Sequence, residues 1–384
     1  MIEIKDKSTC YGCYACINAC PRGCLTMQED AEGFRYPVVD RKMCTECGLC
    51  LNLCPVPVTK DTPGVLGTPQ AYAAHALDED LRARSASGGI FAVLAQGIIR
   101  ENGVVFGVVA PALDQAMHVK AVTVADLEPM QNSKYLQSDV GLAFRATRKA
   151  LQEGRRVLFS GTPCQVAGLQ RFLGKSWDRL ITCDLLCHGV PSAKVYRYYL
   201  AAEAKRYGSP LVARARSKQV GWRPSTFALN LMDGRQVVER LADSDYRKGY
   251  LANLFQRPSC YTCPFARLPR SADLSLGDYF AYRGTHDNRG LSVVTVNTEK
   301  GAAIWTTIRS SVWQEACPMD DAVRDNEHLA KAPQGNCFRP AFFRRLTAEN
   351  YLRVMNAYVK PNLWRKLYRR ACRVCADWGA EIDA

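Results

Sequence analysis

Residues 10–21 read Cys-Tyr-Gly-Cys-Tyr-Ala-Cys-Ile-Asn-Ala-Cys-Pro, and residues 44–55 read Cys-Thr-Glu-Cys-Gly-Leu-Cys-Leu-Asn-Leu-Cys-Pro. Every cysteine of the second stretch lies 34 positions after its counterpart, so this segment is an internal duplication. Three cysteines spaced by two residues can wrap one face of a 4Fe-4S cubane, and the fourth ligand must come from the other copy. The pattern therefore predicts two 4Fe-4S clusters within residues 1–60.

The crossed fourth ligand fixes the two predicted ligand sets. Cys10, Cys13, Cys16 and Cys54 are assigned to the first cluster, and Cys44, Cys47, Cys50 and Cys20 to the second. Residues 1–58 resemble bacterial ferredoxins with two 4Fe-4S clusters. A pair of zinc knuckles is the alternative, although zinc sites seldom use eight cysteines in this duplicated order. Cys24, just beyond the first motif, is interpreted as a spare buried thiol.

The cysteine count and the N-terminal sequence indicate the cellular compartment of the protein. The chain has 18 cysteines and starts Met1-Ile2-Glu3-Ile4-Lys5, which lacks the apolar core of a secretory signal. We therefore expect a cytoplasmic protein whose thiols are reduced and bind metal. The longest apolar run, residues 88–99, is too short to span a membrane and is predicted to be a buried helix.

The formal net charge is +14, but each four-thiolate cluster contributes about −2 when oxidised, which reduces the excess. The remaining basic balance suits an acidic electron-transfer partner or a phosphate-bearing cofactor. Nucleic acid is the other class of partner for such a charge, and a plain solvated surface explains it as well; we predict no nucleic-acid binding. The oligomeric state is open, with a homo-oligomer as one option.

A chain of 384 residues is expected to form two or three domains. Residues 61–70 are rich in proline and glycine and are predicted to be a linker. From residue 71, short apolar strands alternate with helical segments, which predicts a mixed α/β fold. Asp233-Gly234 marks a hairpin within it, so the sheet is expected to be mixed. We divide this larger domain into residues 71–150 and 151–330, followed by a basic helical tail, 331–384.

A candidate anion site precedes the apolar helix. Residues 85–89 read Ser-Ala-Ser-Gly-Gly, and a helix start with free amides and hydroxyls binds anions well. Ser87 as an ordinary N-cap explains the same pattern equally well. A G-x-G-x-x-G dinucleotide fingerprint is absent from the sequence, which argues against an ordinary nicotinamide site.

Four more thiols stand at predicted loop ends. Cys164 follows a strand at a strand-to-helix turn, Cys187 ends another strand, and Cys260 and Cys263 form a close pair. They match one further four-cysteine site, interpreted as a third 4Fe-4S cluster. Cys183 is an alternative to Cys187, but a strand would point its side chain differently.

Residues 70–320 resemble the coenzyme F-420 hydrogenase/dehydrogenase beta-subunit family. Members of that family similar to this chain carry a fused N-terminal ferredoxin, bind FAD and pass electrons between clusters and an organic acceptor. The matching stretches are residues 85–89, 133–135 with 137–138, 161–169, 184–192, 218–222, 257–263 and 273–278.

The resemblance implies a set of flavin-site residues. Ser87, Gly88 and Gly89, with Ser85 in the same motif, are candidates for the flavin phosphates. The resemblance implies that Lys134 and Thr162 lie near the isoalloxazine and that Asp278 orients a neighbouring group. The alternative for Lys134 is an ordinary surface lysine, and the alternative for Asp278 is an Asx turn. His188 is either a proton donor beside the flavin, a partner of the cluster loop or a structural residue. Lys134 and His188 are the candidate catalytic residues.

Three functions are compatible with these patterns. The first is an FAD enzyme that takes electrons from a hydrogenase, a dehydrogenase or a reduced ferredoxin and exchanges hydride with a small soluble acceptor, which the family name suggests is coenzyme F-420. The second keeps the cofactors but reduces a specific metabolite such as a sugar or a tetrapyrrole. The third is a non-catalytic wiring subunit or a nucleic-acid binder.

The C-terminal residues 363–370 have the spacing of a basic amphipathic helix, for which we expect packing on the domain rather than a membrane surface. Cys372 and Cys375 form a lone pair to which we assign no metal.

Overall fold

The computed structural model of the protein describes residues 1–56, 65–284 and 287–359. A small first part precedes a larger one, which is built on a sheet of parallel and antiparallel strands flanked by helices. The predicted mixed α/β class and the order of the two parts are confirmed. The stretch 363–370 and the Cys372–Cys375 pair lie outside the described residues. No helix in the described ranges is long and apolar enough to cross a membrane.

The elements of the first part are α1 (Ala15–Ala19), β1 (Leu25–Glu29), β2 (Arg35–Val39) and α2 (Leu49–Asn52). Those of the second part, up to the second sheet, are β3 (Val65–Ala76), α3 (Glu79–Arg84), α4 (Ile90–Arg100), β4 (Val104–Val109), β5 (Met117–Ala121), α5 (Ala143–Gln152), β6 (Val157–Gly161), α6 (Pro163–Leu173), β7 (Leu180–Leu185) and α7 (Ala193–Tyr207). The remaining ones are β8 (Pro210–Ser217), β9 (Thr226–Leu231), β10 (Gln236–Arg240), α8 (Asp245–Leu251), β11 (Leu274–Asp278), β12 (Ser292–Thr298), α9 (Glu299–Thr307), β13 (Val312–Cys317), α10 (Met319–Asp325), α11 (Arg339–Arg345) and α12 (Tyr351–Val359).

The two cysteine repeats share a backbone conformation. Gly12 and Glu46 hold equivalent places and have φ of 62° and 52°. Tyr14 and Gly48, again equivalent, have φ of 68° and 74° and directly precede α1 and α2. Non-glycine residues rarely adopt positive φ, so Tyr14 and Glu46 are unusual in this state. Left-handed residues within a turn direct backbone N–H groups to one point, which favours anion binding.

The main sheet has eight strands in the order β13-β3-β12-β11-β7-β6-β4-β5. The pairs β4–β6, β6–β7 and β7–β11 are parallel, whereas the pairs on either side of them are antiparallel. The carboxyl ends of β6, β7 and β11 therefore meet at one edge, where ligands bind in open α/β sheets.

Alternate side chains of the central strands enter two cores. Leu158 packs with Leu94 of α4 on one face of the sheet. Val157 and Phe159 pack with Leu169 of α6 on the other face. This alternation follows from the two-residue period of a strand, and it leaves the strand ends free to carry polar residues.

A second sheet stands apart from the main one. It is antiparallel in the order β10-β9-β8, and the turn between β9 and β10 contains Gly234 at φ 85°, so the predicted hairpin forms there. The reason given for a mixed main sheet was therefore wrong, since antiparallel β3, β5, β12 and β13 make it mixed. Helices α7, α8, α11 and α12 cover the second sheet around Tyr199, Phe255 and Phe342.

The first part packs tightly on the second. Tyr14 and Ala15 enter the same core as Phe144. The Asn18 amide donates to the Gly141 carbonyl at 2.9 Å, and Arg145 Nε donates to the Asn18 carbonyl at 2.8 Å. The cysteine loops of the first part are thereby held against α5 and α6.

Candidate functional site

The first predicted ligand set is brought together at the interface between the two parts. Burial raises the pKa of Cys16 to about 12, and the neighbouring thiols of Cys10 and Cys54 add to the shift. Burial also holds the pKa of Cys13 well above its usual value, with Cys16 and Cys10 contributing. Thiols that raise one another's pKa in this way ionise together only when a cation compensates them, and an iron-sulfur core is such a cation.

The second predicted ligand set lines one cavity. Cys20, Cys44, Cys47 and Cys50 surround it together with Cys24. Cys47 is exposed, so this group lies at the surface of the molecule. The Cys24 sulfur lies 3.3 Å from that of Cys20, which places the thiol interpreted as spare directly against the group.

Cys164, Cys187, Cys260 and Cys263 form a third group at the carboxyl edge of the main sheet. Burial raises the pKa of Cys164 to about 12, with Cys263 and Cys187 adding to it. Burial likewise raises the pKa of Cys187 to about 11, with Cys263 contributing. The four side chains come from three separate segments: the first turn of α6 after β6, the loop after β7, and the stretch before β11. Parallel pairing of these strands brings the three segments together.

Cys183 takes no part in the third group. Its side chain is 1% exposed and lies in the core with Leu158, Leu274 and Leu94. Because strand residues alternate between faces, β7 sends Cys183 into this core and leaves Cys187, beyond the strand end, in the loop.

Backbone amides point at several of these sulfurs. Gly189 N donates to Cys187 Sγ at 3.4 Å, and Val190 N donates to Cys260 Sγ at 3.3 Å. The backbone amide of Ala15 likewise donates to the Cys13 sulfur, and that of Ile17 donates to the Cys16 sulfur. Such N–H bonds to cluster sulfurs are one of the means by which a protein tunes cluster potential.

The three groups form a series. Cys50 of the second group adds to the pKa shift of Cys16 in the first. At the other end, Cys164 of the third group acts on Cys13 in the first, and the Tyr11 carbonyl lies 4.0 Å from Cys164 Sγ. A Cβ on Gly168 would lie 3.2 Å from Cys13 Sγ, so this glycine lets α6 approach the first group.

A single metal ion suits these groups poorly. Within the described ranges, no three or more His, Cys, Asp or Glu side chains converge on a point that could hold one ion. Zinc requires its sulfur ligands at about 2.3 Å from the metal, whereas a cubane holds four cysteines around a larger body. Sets of four thiols are the donors that a 4Fe-4S cluster requires.

The predicted phosphate loop lies between β3 and β12. Gly89, with φ 85°, is the N-cap of α4, so the alternative that Ser87 caps the helix was wrong. Ser87 Oγ donates to the Leu291 carbonyl at 2.9 Å, and a Cβ on Gly88 would lie 2.5 Å from the Ala74 carbonyl oxygen. Ser85 is turned inward, and its hydroxyl donates to the Leu81 carbonyl at 2.8 Å.

Two basic residues stand beside this loop, the half-buried Lys218 and the buried Arg216. Lys218 Nζ donates to the carbonyls of Ser87 and Arg82 at 2.5 and 2.7 Å. Burial, together with Arg82 and Arg216, lowers the pKa of Lys218 to about 7. Arg216 Nη2 pairs with Asp278 at 2.7 Å, while its Nε has no hydrogen-bond partner among the described residues.

Arg216 occupies a β-bulge in β8 at φ 62°, where the register with β9 shifts. Bulges commonly re-aim a side chain next to a functional site. The predicted Asp278 is thus joined to the phosphate loop through Arg216 and Lys218, neither of which the sequence singled out by itself. Nothing in the local pattern reveals a left-handed arginine, and only the family motif at residues 218–222 marked this neighbourhood.

Lys134 is a further basic residue, and it lies near Arg214 of β8. Its Nζ donates to the Pro129 carbonyl at 2.7 Å, and burial, with Arg214 nearby, lowers its pKa to about 7. The next residue, Tyr135, interacts with Arg216 and places its ring 5.8 Å from that of Tyr250. Tyr135 and Tyr250 therefore lie between the basic residues and the third cysteine group.

Thr162 and His188 both adjoin the third group. Thr162 Oγ1 lies 3.2 Å from Cys164 Sγ and caps α6 in a capping box with Gln165. His188 Nδ1 lies 2.5 Å from His328 Nε2, and its ring is 5.0 Å from that of Tyr250. Burial lowers the pKa of His188 to about 4, with His328 adding to the effect, so the imidazole is neutral at pH 7.

Two family models match separate stretches of the chain. Residues 9–58 match the family described as "4Fe-4S dicluster domain", and residues 154–322 match the family described as the C terminus of the coenzyme F420 hydrogenase/dehydrogenase beta subunit. Among solved structures, the chain is similar to a chain of the F420-reducing NiFe hydrogenase complex from Methanosarcina barkeri. The two are 17% identical, and the match covers 69% of this chain and 89% of the other at a TM-score of 0.48. No curated protein matches the sequence.

Proposed function

We propose that this chain, which joins a 4Fe-4S dicluster domain to a domain of the coenzyme F-420 hydrogenase/dehydrogenase beta-subunit family, is an iron-sulfur flavoprotein oxidoreductase. It passes electrons between a protein donor and a small hydride acceptor. The observation that carries the proposal is the unbroken series of three cysteine groups, which leads from the exposed Cys47 to the basic residues around Ser87.

Each cysteine group holds one 4Fe-4S cluster. Four thiolates use all the iron positions of a cubane, so none of the three offers an open site for substrate, and each serves as a one-electron carrier. The first set is Cys10, Cys13, Cys16 and Cys54, the second is Cys20, Cys44, Cys47 and Cys50, and the third is Cys164, Cys187, Cys260 and Cys263.

FAD fits the basic residues beyond the third group, where it would accept single electrons and deliver them as a pair. Ser87, Gly88 and Gly89 offer a loop that approaches closely because Gly88 has no room for a side chain. Lys218 and Arg216 supply positive charge for phosphates, and the free Nε of Arg216 supplies a donor. Lys134 would stabilise negative charge on a reduced ring.

The donor is proposed to approach at the second group. Apolar side chains surround its cysteines at the surface: Leu51 is 51% exposed, Met43 47% and Leu49 40%. An electron-carrier protein has to bring its own centre close to this group, and exposed apolar residues beside it are suited to a transient interface of that kind. The occupant we propose is a ferredoxin or the cluster-bearing subunit of a dehydrogenase or hydrogenase.

Anaerobic turnover tests this function. The full chain, reconstituted with iron, sulfide and FAD, is mixed with reduced ferredoxin and oxidised coenzyme F-420, and the acceptor's absorbance is followed. We expect reduction of the acceptor that requires both FAD and ferredoxin. An inert acceptor in the presence of a bound flavin that dithionite fully reduces would assign this chain to a different, metabolite-specific reaction.

A further inference from the structure

Arg257 is a fully buried arginine at the junction of the two parts, with 0% of its surface exposed. It belongs to the second part and reaches into the first. Its Nε donates to the Cys10 carbonyl at 2.7 Å, and its Nη2 donates to the Arg35 carbonyl at 2.9 Å. Its Nη1 donates to Gln137 Oε1 at 3.1 Å.

The guanidinium lacks a carboxylate partner. Two other fully buried arginines pair with aspartates, Arg82 with Asp287 at 2.8 Å and Arg270 with Asp184 at 2.9 Å. Within residues 1–56, 65–284 and 287–359, no Asp or Glu oxygen lies within 4.0 Å of Arg257. Burying a charge without a counter-ion is unfavourable, so the negative charge that offsets Arg257 must come from another source.

That source is adjacent. Arg257 Nη2 lies 3.5 Å from Cys10 Sγ, a sulfur of the first cysteine group. Burial raises the pKa of Cys164, in the third group, and Arg257 acts against this rise, so its charge reaches both groups. On its remaining side the guanidinium covers the ring of Tyr36 at 4.2 Å, which excludes water from this face.

We propose that Arg257 is the built-in counter-ion of the first cluster and raises the reduction potential of that cluster, an inference that rests on the proposed loading of the first cysteine group. When the cluster takes up one electron from its donor, its net charge changes from about −2 to about −3, and no bond to the protein forms or breaks. A fixed cation in a buried site stabilises the more negative state further. Arg257 thus acts on electron flow between the dicluster domain and the third group through the potential of the first cluster.

A structural role has to be separated from this electrostatic one, because Arg257 also joins the two parts through the Cys10 and Arg35 carbonyls. Arg257→Gln removes the charge, and Arg257→Lys keeps it while losing the planar fork. Arg171→Gln is the matched control, since Arg171 also acts on the first group, through Cys54, but is exposed to solvent. Gln137→Glu leaves Arg257 in place and offers its Nη1 a carboxylate.

The test is an anaerobic redox titration of the full chain followed by electron paramagnetic resonance, with iron counted for each variant. At the solution potential that half-reduces the first cluster of the wild type, Arg257→Gln should lower the ratio of reduced to oxidised cluster about tenfold. This change corresponds to a reduction potential lower by about 59 mV for one electron. Gln137→Glu should lower it as well. Arg257→Lys should stay near the wild type, and Arg171→Gln should leave it unchanged.

An unchanged potential in a fully loaded Arg257→Gln variant would overturn the inference, as would equal shifts in Arg257→Gln and Arg257→Lys. If the Arg257→Gln variant does not bind the first cluster, the Gln137→Glu variant becomes the test. A reduction potential of the first cluster that Gln137→Glu does not lower would then overturn the inference. A wild-type chain without iron in the first group would instead contradict the proposed function itself.

Discussion

At the scale of single residues, the third cysteine group makes the sharpest prediction. Removing the Cys164 thiol leaves three cysteines in this group, and we expect the Cys164→Ala variant to lose about four of about twelve irons. The two clusters of the dicluster domain should remain, because their eight cysteines are untouched. Iron and acid-labile sulfide counts on anaerobically purified protein measure this loss.

Cys183→Ala is the matched control. Cys183 is buried like Cys164, with 1% against 8% of its surface exposed, but it packs among leucines in the core. Its removal should cost stability and leave the iron content unchanged. Loss of iron from Cys183→Ala with full retention in Cys164→Ala would reverse the assignment.

The two lysines with depressed pKa predict how FAD binding depends on pH. Burial is the main cause that lowers the pKa of both Lys218 and Lys134 to about 7. Below this pH each ammonium is charged in the flavin-free protein and attracts phosphate or a negative ring, and above it each becomes neutral. FAD affinity should therefore fall as the pH rises through about 7, which a titration of flavin fluorescence at several pH values measures.

Lys218→Arg serves as the control for this pH dependence. Arginine stays charged throughout this range, so the pH dependence of FAD affinity should shrink by about one proton while Lys134 accounts for the remainder. An undiminished pH dependence in Lys218→Arg would show that Lys218 does not contribute to flavin binding.

Sequence reasoning reached the cysteines because their spacing is local, and the eight N-terminal ones follow from the duplication alone. Arg216 and Arg257 are different cases. Arg257 begins the stretch 257–263 that resembles the family. The burial of both arginines nevertheless depends on where distant strands and loops bring them. Ser85 belongs to a stretch whose composition suits a phosphate loop, yet its hydroxyl donates to the Leu81 carbonyl within the fold.

At the scale of elements, the start of α6 links helix stability to the third group. Thr162 caps this helix and also touches Cys164 Sγ. Thr162→Val keeps the shape but loses the cap, which should lower the free energy of unfolding of the metal-free chain by about 1 kcal/mol. Chemical denaturation measures this loss. The spectrum of the proposed third cluster should change as well, because Thr162 Oγ1 lies 3.2 Å from Cys164 Sγ.

Ser244→Ala provides the comparison, since Ser244 caps α8, and no described contact links it to a cysteine. It should show a similar loss of stability and an unaltered cluster spectrum. Equal spectra in both variants would mean that the Thr162 hydroxyl acts only as a helix cap.

Elements with a strong local pattern were predictable. The helix α4, the strands β4 and β6 and the hairpin of β9 and β10 follow from apolar periodicity and turn residues. The placement of the hairpin in a second sheet was not predictable, because it depends on the helices that cover it. The pairing of β3 between β12 and β13 joins residues far apart in the chain, and such pairing leaves no local trace.

At the scale of the whole molecule, the exposed leucines at the second group predict where the donor docks. Leu51→Gln should change stability by less than about 0.5 kcal/mol, because the side chain is at the surface. It should raise the KM for reduced ferredoxin severalfold and leave the kcat for a small chemical reductant unchanged. Steady-state kinetics with both donors measures the difference.

Leu352→Gln is the control, because Leu352 and Leu51 are both 51% exposed while Leu352 belongs to α12 on the second sheet. This variant should behave as the wild type with either donor. A KM that rises equally in both variants would indicate a general surface effect and not a docking site.

The order of the two parts was predictable because the cysteine repeat precedes the α/β pattern along the chain. The predicted linker 61–70 was wrong from residue 65 onward, since β3 begins at Val65 and pairs with β12. The series of three groups was not predictable, since it depends on how the first part packs on α5 and α6. Small residues at this junction, such as Gly168 against Cys13, permit the approach, and the stretch 161–169 that contains Gly168 does not itself show which residue it faces.

The central claim is that three clusters lead to one flavin, and the most direct measurement is the cofactor content of the full chain purified without oxygen. The account predicts about twelve irons, about twelve sulfides and about one FAD per chain. About eight irons without FAD would contradict it and leave a dicluster protein with no catalytic centre.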